Sequence, residues 1–313
     1  MSSKPLVIQT EHLDADAAAW LAERCELVRC SSDAPEFAAL LARAQALVVR
    51  TYTQVDAAML ARAPNLRVVG RAGVGLDNID RPACAARRVE VCSTPDANGD
   101  AVAEYVFALL LDATRPRLFL EKSVPMAEWK KIRTELLARR QLREMTLGIW
   151  GMGKIGKRIA RIARGFEMSV IYHDVAEIEP TLRHGAQPVS RDELCARADA
   201  ITVHVDGRPS NHQLIDTGSF GRMKSDVIFI NSSRGFVVSP AALAEFLLSH
   251  PGACAMLDVH EPEPFGPTYA LLDIKNAHLA PHIAAATTMA NRNMSWVVRD
   301  VWAALNREKT AAR

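Results

Sequence analysis

Several features that define other classes of protein are missing from this sequence. The formal net charge is only +2 over 313 residues, and a balanced chain of this kind gives no case for a nucleic-acid partner. The longest apolar run, at 101–113, contains Glu104 and Asp112 and is too short to span a bilayer. The first residues contain no continuous apolar stretch of the kind that a signal peptide needs. We therefore expect a protein that binds neither nucleic acid nor membranes.

Cysteine is scarce and scattered. No Cys-x-x-Cys pair occurs among the six cysteines, which are Cys25, Cys30, Cys84, Cys92, Cys195 and Cys254. In a chain of this size such cysteines are typical of small core residues in a reducing compartment. The sequence thus predicts a cytoplasmic protein without a disulfide framework, and we assign no metal site.

The residues that are present alternate between short apolar runs and helical segments. Hydrophobic residues make up 49% and charged residues 24%, which is ordinary for a globular protein, and the length suits two domains. Strand-like runs such as "PLVIQT" and "ALVVRT" enclose helical patterns, as in parallel α/β sheets. The alternation is interrupted at 94–114 by a nearly all-round apolar helix, which we expect to be buried. It then resumes at Leu147. We predict an α/β fold with two Rossmann-like, doubly wound parallel-sheet domains and a cleft between them.

The second series opens with a glycine pattern in a specific context. The strand "TLGIW" is followed at once by Gly151, Gly153 and Gly156, then by an amphipathic helix and a strand that ends at Asp174. Such glycines allow a tight turn, close approach of a pyrophosphate and close packing of helix on strand. The helix amino terminus attracts phosphate, and an aspartate accepts hydrogen bonds from ribose hydroxyls while repelling a 2′-phosphate. The pattern predicts a dinucleotide site that prefers NAD to NADP.

Later strand ends supply groups for chemistry, because ligands of open α/β sheets bind at the carboxyl ends of the strands. Three such ends carry charged or titratable residues: Arg234; Asp258, Glu261 and Glu263; His278 and His282. Oxidation of a 2-hydroxy acid needs a guanidinium for the carboxylate, a base for the hydroxyl and a carboxylate that orients the base. Spacing alone does not choose His282 over His278, or Glu263 over Glu261.

These segments together resemble the D-isomer-specific 2-hydroxyacid dehydrogenase family. The similarity runs through "LRVVGRAGVGLDNID", "NGDAVAEYVFALLL", "TLGIWGMGKIGKRIA", "INSSRG", "LDVHEPEP" and "APHIAAAT". The resemblance implies that Arg234 binds the substrate carboxylate, Glu263 supports the base and His282 is the acid/base. It also implies a carboxylate-binding backbone at Ala72, Gly73, Val74 and Gly75. Beyond the glycines and Asp174, we assign to the cofactor site Lys154, Ile155, Val102, His204, Ser232 and Asp258.

The resemblance further implies the organisation of the chain and its partners. A discontinuous substrate-binding domain would comprise 1–97 and 286–313, closed by a helical stretch at about 287–306, and an NAD-binding domain would comprise 98–285. The apolar helix and the segment through Trp129 would form a homodimer surface. No regulatory extension of the type found in many phosphoglycerate dehydrogenases is expected.

The resemblance implies a small 2-hydroxy or 2-oxo acid as substrate and constrains the identity of that acid less. The segments around Arg50 and Arg71 are most similar to 3-phosphoglycerate dehydrogenases, whose phosphorylated substrate would suit two arginines. The same segments are close to hydroxypyruvate and glyoxylate reductases. A hypothesis of another class is an NAD-sensing protein similar to the C-terminal binding corepressors, which share the arginine, the glutamate and the histidine.

One position departs from the family pattern. The strand end "VHVDGRPSNH" carries Asp206 where the family usually has proline. An acidic group therefore stands where the wall of the cofactor site is usually neutral.

Overall fold

The structure, a computed structural model, describes residues 4–115 and 117–311. Contacts divide the chain into two compact units, Met1–Asn98 with Ala286–Arg313, and Gly99–Ala285. Within the part of the chain that is described, no helix combines the length and the apolar character that a membrane crossing demands. The six cysteines are all free thiols.

The first unit is built on a five-stranded parallel sheet. Its strands run in the order β2-β1-β3-β4-β5, with bounds β1 Leu6–Gln9, β2 Glu26–Arg29, β3 Ala46–Val49, β4 Val68–Arg71 and β5 Glu90–Ser93. The helices between them are α1 Ala15–Ala22, α2 Phe37–Leu41, α3 Ala57–Ala61 and α4 Arg81–Ala86. Asp14, Asp56 and Asp80 cap three of these helices by accepting backbone N–H bonds. β1 and β3 are buried along their whole length, as expected of a parallel sheet covered on both faces.

The second unit holds a seven-stranded parallel sheet in the order β12-β11-β10-β9-β6-β7-β8. Its strands are β6 Thr146–Trp150, β7 Ser169–His173, β8 Gln187–Pro188, β9 Ala200–Val203, β10 Ile228–Asn231, β11 Cys254–Leu257 and β12 Ala277–Leu279. Its helices are α5 Gly99–Thr114, α6 Met126–Glu135, α7 Lys154–Gly165, α8 Arg191–Arg197, α9 Thr217–Phe220 and α10 Pro240–Ser249. The strand order reverses between β6 and β9, and such a switch point is where open α/β sheets bind ligands.

The carboxyl-terminal residues rejoin the first unit as two helices, α11 Thr288–Ser295 and α12 Val298–Ala311. The sequence predicted one helical stretch at 287–306. The structure instead interrupts it at Trp296 and Val297. Gly70 of β4 lets α12 approach closely, because a methyl group there would lie 2.3 Å from Val301 Cγ2.

The apolar helix α5 differs from its prediction. The sequence indicated burial on all sides, but the helix buries one stripe, which consists of Gly99, Val102, Ala103, Val106, Phe107 and Leu110. Glu104, Ala108 and Asp112 are exposed. α5 packs on α7 within the second unit, and the ring of Phe107 stacks on Phe166 with the centroids 5.3 Å apart. The prediction of an α/β fold with two Rossmann-like parallel-sheet units is confirmed.

Candidate active site

The glycine loop connects β6 to α7 in a conformation that requires glycine at two positions. Gly151 has φ +99°, and a methyl group there would lie 2.6 Å from the carbonyl oxygen of His204. A methyl group on Gly156 would lie 2.3 Å from the carbonyl oxygen of Gly151. Since both obstacles are backbone atoms, any side chain at these positions would displace the turn or the helix. The loop therefore brings the amino terminus of α7 against the end of β6.

Gly153 has a different role from its two neighbours. It is the N-cap of α7, with the ordinary φ of −71°, and a methyl group on it would meet no atom of the described residues within 4 Å. Neither backbone strain nor packing within the protein calls for glycine here. What a side chain would fill is the space in front of the helix amino terminus, where a phosphate binds.

A cavity of about 690 Å³ opens beside this loop. Gly151, Gly153, Asp174 and His204 all line it. The Asp174 carboxylate is held from both sides, because Met152 N–H donates to its Oδ2 at 2.6 Å and Ala176 N–H donates to its Oδ1 at 2.8 Å. The strand ends of β6, β7 and β9 thus deliver three parts of the predicted cofactor site to one cavity.

Two polar atoms of predicted cofactor residues are buried without a hydrogen bond from any described residue. They are Nδ1 of His204 and Oγ of Ser232. The other ring nitrogen of His204, Nε2, is hydrogen bonded to Thr202 Oγ1 at 2.7 Å. Although His204 keeps some exposed surface, desolvation lowers its pKa to about 3, so the ring is neutral. Buried polar atoms normally have partners, and these two fit a polar ligand such as NAD.

The remaining predicted cofactor residues lie at several places in the second unit. Lys154 and Ile155 form the first turn of α7, where backbone N–H groups point out of the helix. Val102 is buried in the first turn of α5. Ser232 and Asp258 directly follow β10 and β11. Of these five residues, only the two on α7 adjoin the glycine loop in sequence.

The ring of His282 is hydrogen bonded to the carboxylate of Glu263. Nδ1 of His282 donates to Oε2 of Glu263 at 2.8 Å, while Oε1 of Glu263 accepts from His260 N–H at 2.7 Å. Burial raises the pKa of Glu263, but these hydrogen bonds outweigh that effect and leave its pKa below the usual value. Glu263 is therefore ionised at neutral pH and fixes Nδ1 as the protonated nitrogen of His282, which leaves Nε2 available for a substrate.

Asp258 holds the loop that follows His282. It is fully buried, and its two oxygens accept N–H bonds from Ile283 and Ala284 at 2.8 Å each. Burial raises the pKa of Asp258 more than these two bonds lower it. The backbone of His282 has φ +55°, a conformation that costs energy in a residue other than glycine. Asp258 thus stabilises the unusual backbone that aims the histidine ring.

Arg234 is carried by the turn after β10, and its Nη1 donates to Ser233 O at 2.6 Å. Asn231 closes the turn, with its Nδ2 donating to Arg234 O at 2.9 Å and its Oδ1 accepting from Ser233 N–H at 3.0 Å. A methyl group on Gly235 would lie 1.9 Å from the carbonyl oxygen of His260. The turn that carries Arg234 is therefore in direct backbone contact with the residue whose N–H binds Glu263. The three predicted catalytic residues lie on adjoining loops of one unit.

The alternatives that spacing left open have other surroundings. His278 is exposed within β12. Glu261 is exposed in the loop before Pro262. The ring nitrogen of His282, by contrast, meets Glu263.

The predicted substrate residues occupy one edge of the first unit. Arg71 ends β4 and pairs in register with Val49 of β3, which precedes Arg50. The guanidinium of Arg71 occupies the place that a side chain on Gly73 would take, because Nη1 is 1.2 Å from that position. Ala72, Val74 and Gly75 complete the loop after β4, and Ala72 N–H donates to Val49 O at 2.8 Å. Arg50 Nη1 donates to His12 O at 3.2 Å and to Asn291 Oδ1.

Sequence reasoning missed three residues that shape the site. His260 binds Glu263 through its backbone, and its ring Nε2 donates to Ala280 O at 2.8 Å. Asn231 closes the turn that carries Arg234, and Arg208 lines the 690 Å³ cavity. His260 and Asn231 stand inside the motifs that predicted the catalytic residues, and that position was the available signal. Arg208 carried none beyond its nearness to Asp206.

Comparisons with known proteins identify a family and several relatives. Residues 107–284 match the family model described as D-isomer specific 2-hydroxyacid dehydrogenase, NAD binding domain. A D-3-phosphoglycerate dehydrogenase of Archaeoglobus fulgidus is 37% identical over 82% of this chain and 48% of its own length. A glyoxylate reductase of Aeropyrum pernix is 35% identical over 85% of this chain and 82% of its own. The crystal structure of the TT0316 protein from Thermus thermophilus superposes with a TM-score of 0.82 at 30% identity, covering 96% of this chain and 97% of that one.

The relatives differ in length. The chain spans about half the length of the D-3-phosphoglycerate dehydrogenases that it matches, and 82% of the glyoxylate reductase. The second unit coincides with the matched NAD-binding domain, in agreement with the predicted cofactor. The chain belongs to the D-isomer specific 2-hydroxyacid dehydrogenase family.

Proposed function

We propose that the protein is an NAD-dependent dehydrogenase that interconverts a D-2-hydroxy acid and its 2-oxo acid. The observation that carries the proposal is the pairing of His282 with Glu263 on loops that adjoin Arg234. NAD, when bound, supplies the hydride acceptor for oxidation and, in its reduced form, the donor for reduction. The glycine loop, the amino terminus of α7 and Asp174 would hold it.

The protein's own groups handle the proton and the carboxylate. In oxidation, Nε2 of neutral His282 takes the proton of the C2 hydroxyl, and Glu263 stabilises the imidazolium that forms. Arg234 binds the substrate carboxylate through two parallel N–H bonds. Reduction runs in the opposite direction and starts from protonated His282, so lower pH favours it.

For the substrate, we propose 3-phosphoglycerate and 3-phosphohydroxypyruvate. The support is the placement of Arg50 directly after β3 and of Arg71 at the end of the neighbouring β4, since two guanidinium groups suit a phosphate. The D-3-phosphoglycerate dehydrogenase relatives point in the same direction.

Hydroxypyruvate and glyoxylate are the second candidates, and a specific observation favours them. The Glu11 carboxylate accepts the backbone N–H groups of residues 50–53, and Arg50 donates to His12 and Asn291. A negative charge beside an arginine that already has partners opposes a phosphate and leaves a small uncharged substituent unaffected. The glyoxylate reductase relative supports the same candidate.

The experiment that tests the function is NADH oxidation with a panel of 2-oxo acids. The panel contains 3-phosphohydroxypyruvate, hydroxypyruvate and glyoxylate, and kcat/KM is measured for each. We expect turnover with at least one, and the highest kcat/KM identifies the substrate class. Tight NADH binding with no turnover of any oxo acid would contradict the dehydrogenase and favour an NAD-sensing binding protein.

Gly153 provides a test of the cofactor site that does not depend on turnover. Replacing Gly153 with alanine should leave the midpoint of urea unfolding unchanged, because the new methyl group meets open space. NAD affinity should fall about tenfold or more, since the methyl group blocks close approach of the pyrophosphate. Isothermal titration calorimetry measures the affinity. Gly165→Ala is the matched control, because a methyl group on Gly165 also meets no described atom within 4 Å, and it should bind NAD normally.

We also propose that the protein is a cytoplasmic homodimer. Six free cysteines fit a reducing compartment. The segment after α5 exposes apolar side chains, with Phe119 at 80%, Met126 at 68% and Trp129 at 47%. A cluster of exposed apolar residues marks a protein interface more often than it marks free surface, and a twofold pair of copies would cover it.

A further inference from the structure

The loop after β9 explains what the unusual acidic residue Asp206 does. The Asp206 carboxylate accepts a bidentate pair of hydrogen bonds from Arg208, with Nε donating to Oδ1 at 2.7 Å and Nη2 donating to Oδ2 at 2.5 Å. Asn211 Nδ2 donates to the Asp206 carbonyl oxygen at 2.9 Å and to Oδ1 at 3.0 Å. The loop is therefore closed on itself, and the guanidinium of Arg208 is fixed by its planar fork rather than by charge alone.

Arg208 and Asp206 line the same 690 Å³ cavity as Asp174. Hydrogen bonding to Asp206 raises the pKa of Arg208, and the negative charge of Asp174 raises it further. Arg208 is thus within electrostatic range of Asp174, the carboxylate predicted to bind the adenosine ribose. Among the described residues, no hydrogen bond involves its Nη1.

A cation at this point has consequences for the choice of cofactor. NADP differs from NAD by a 2′-phosphate on the ribose, and proteins that accept this phosphate place an arginine nearby. Arg208 lines the same cavity as Asp174, the residue that in the proposed NAD site would repel the phosphate. The Asp206 carboxylate accepts hydrogen bonds from two nitrogens of Arg208 and neutralises the charge of the guanidinium.

We propose that Asp206 is a specificity-determining residue of the cofactor site, because it binds Arg208 and so withholds from a 2′-phosphate the guanidinium beside Asp174. Without the Asp206 carboxylate, the guanidinium N–H groups of Arg208 can all donate to the phosphate. The inference rests on the NAD site of the proposed function and is independent of the substrate. Both side chains are more than half exposed, at 54% for Arg208 and 57% for Asp206. Exposed ion pairs add little to stability, so variants at these positions fold.

The test is direct binding of two probes to the full chain, ADP-ribose and 2′-phospho-ADP-ribose, by isothermal titration calorimetry. Neither probe contains an oxo acid, so the influence of Asp206 on the nearby charge of Arg234 does not enter. In Asp206→Asn, the Kd of 2′-phospho-ADP-ribose should fall about tenfold, while the Kd of ADP-ribose should change less than about threefold. The double variant Asp206→Asn/Arg208→Gln should lose the gain.

Two further variants complete the design. Arg208→Gln alone leaves Asp206 as an uncompensated carboxylate, so it should weaken binding of 2′-phospho-ADP-ribose. Asp16→Asn is the matched control, because Asp16 forms an exposed pair with Arg292 at 3.2 Å in the first unit, and it should leave the ratio of the two Kd values unchanged.

Three results would overturn the proposal: an unchanged Kd ratio in Asp206→Asn, a gain that survives in the double variant, or tighter 2′-phospho-ADP-ribose binding in Arg208→Gln. Because the readout is binding, a protein that reduces no oxo acid could still show the shift. In that event the proposed activity fails and the role of Asp206 stands.

Discussion

Replacement of His282 by asparagine should lower kcat for oxo-acid reduction by about 10²- to 10⁴-fold, the usual contribution of general acid–base catalysis. The expectation rests on the 2.8 Å bond between His282 Nδ1 and Glu263 Oε2, which leaves Nε2 as the group that transfers the proton. An asparagine side chain cannot supply a proton at neutral pH. The measurement is steady-state NADH oxidation with the best oxo acid of the panel.

Asparagine is preferred to alanine because of the backbone at this position. With φ +55°, residue 282 lies in the left-handed region, which asparagine tolerates better than most residues. The variant therefore keeps the loop that Asp258 stabilises, and NAD affinity should remain normal. His278→Asn is the control, since His278 is exposed within β12, and it should retain wild-type kcat. Near-wild-type turnover in His282→Asn would remove His282 from catalysis.

The fold could be predicted from the sequence because buried strands and helices require apolar residues at regular spacings. β9 and β10 are buried at every residue, and their apolar runs predicted strands of a parallel sheet covered on both faces. β8 was missed because Gln187–Pro188 has two residues, both exposed, and leaves no apolar run. The composition of α5 indicated burial on all sides, but composition does not specify which neighbours a face has. A helix that exposes an apolar residue, as α5 does at Ala108, has the same sequence pattern as a helix that is buried on all sides.

The types of residue in the candidate site could be predicted from the sequence. The hydrogen bonds between these residues could not. Strand ends supplied an arginine, carboxylates and histidines, because ligands of such sheets bind there. The choice between Glu261 and Glu263 depends on which carboxylate reaches the N–H of His260, and this is a property of loop geometry. Asp206 stood out as a departure from the family pattern. Its partner Arg208 could be identified only when the loop was seen to close on itself.

Replacement of Arg234 by glutamine should lower kcat/KM for the oxo acid by about 30-fold to several thousandfold, as expected when one partner of a desolvated charge pair is removed. A guanidinium that binds the carboxylate acts in both the ground state and the transition state, so KM should rise and kcat should fall together. Arg234→Lys keeps the charge and loses the planar fork. Its kcat/KM should lie between those of wild type and Arg234→Gln.

The kinetic pattern separates a substrate-binding role from a structural one. The backbone carbonyl of Arg234 accepts a hydrogen bond from the Asn231 side chain, and this bond remains in Arg234→Gln although the bond from Arg234 Nη1 to Ser233 O is lost. The turn should therefore stay closed, and NAD affinity should stay normal. Arg222→Gln is the control for loss of one arginine, because Arg222 bonds to Gly218 O on a surface helix, and its kcat/KM should equal that of wild type. If Arg234→Gln raised KM with kcat unchanged, Arg234 would contribute to binding alone. If kcat and KM were both unchanged, the substrate carboxylate would have to be bound by another group. The contact between the turn of Arg234 and the loop of Glu263 is made by backbone atoms, so the substitution tests the guanidinium and not this contact.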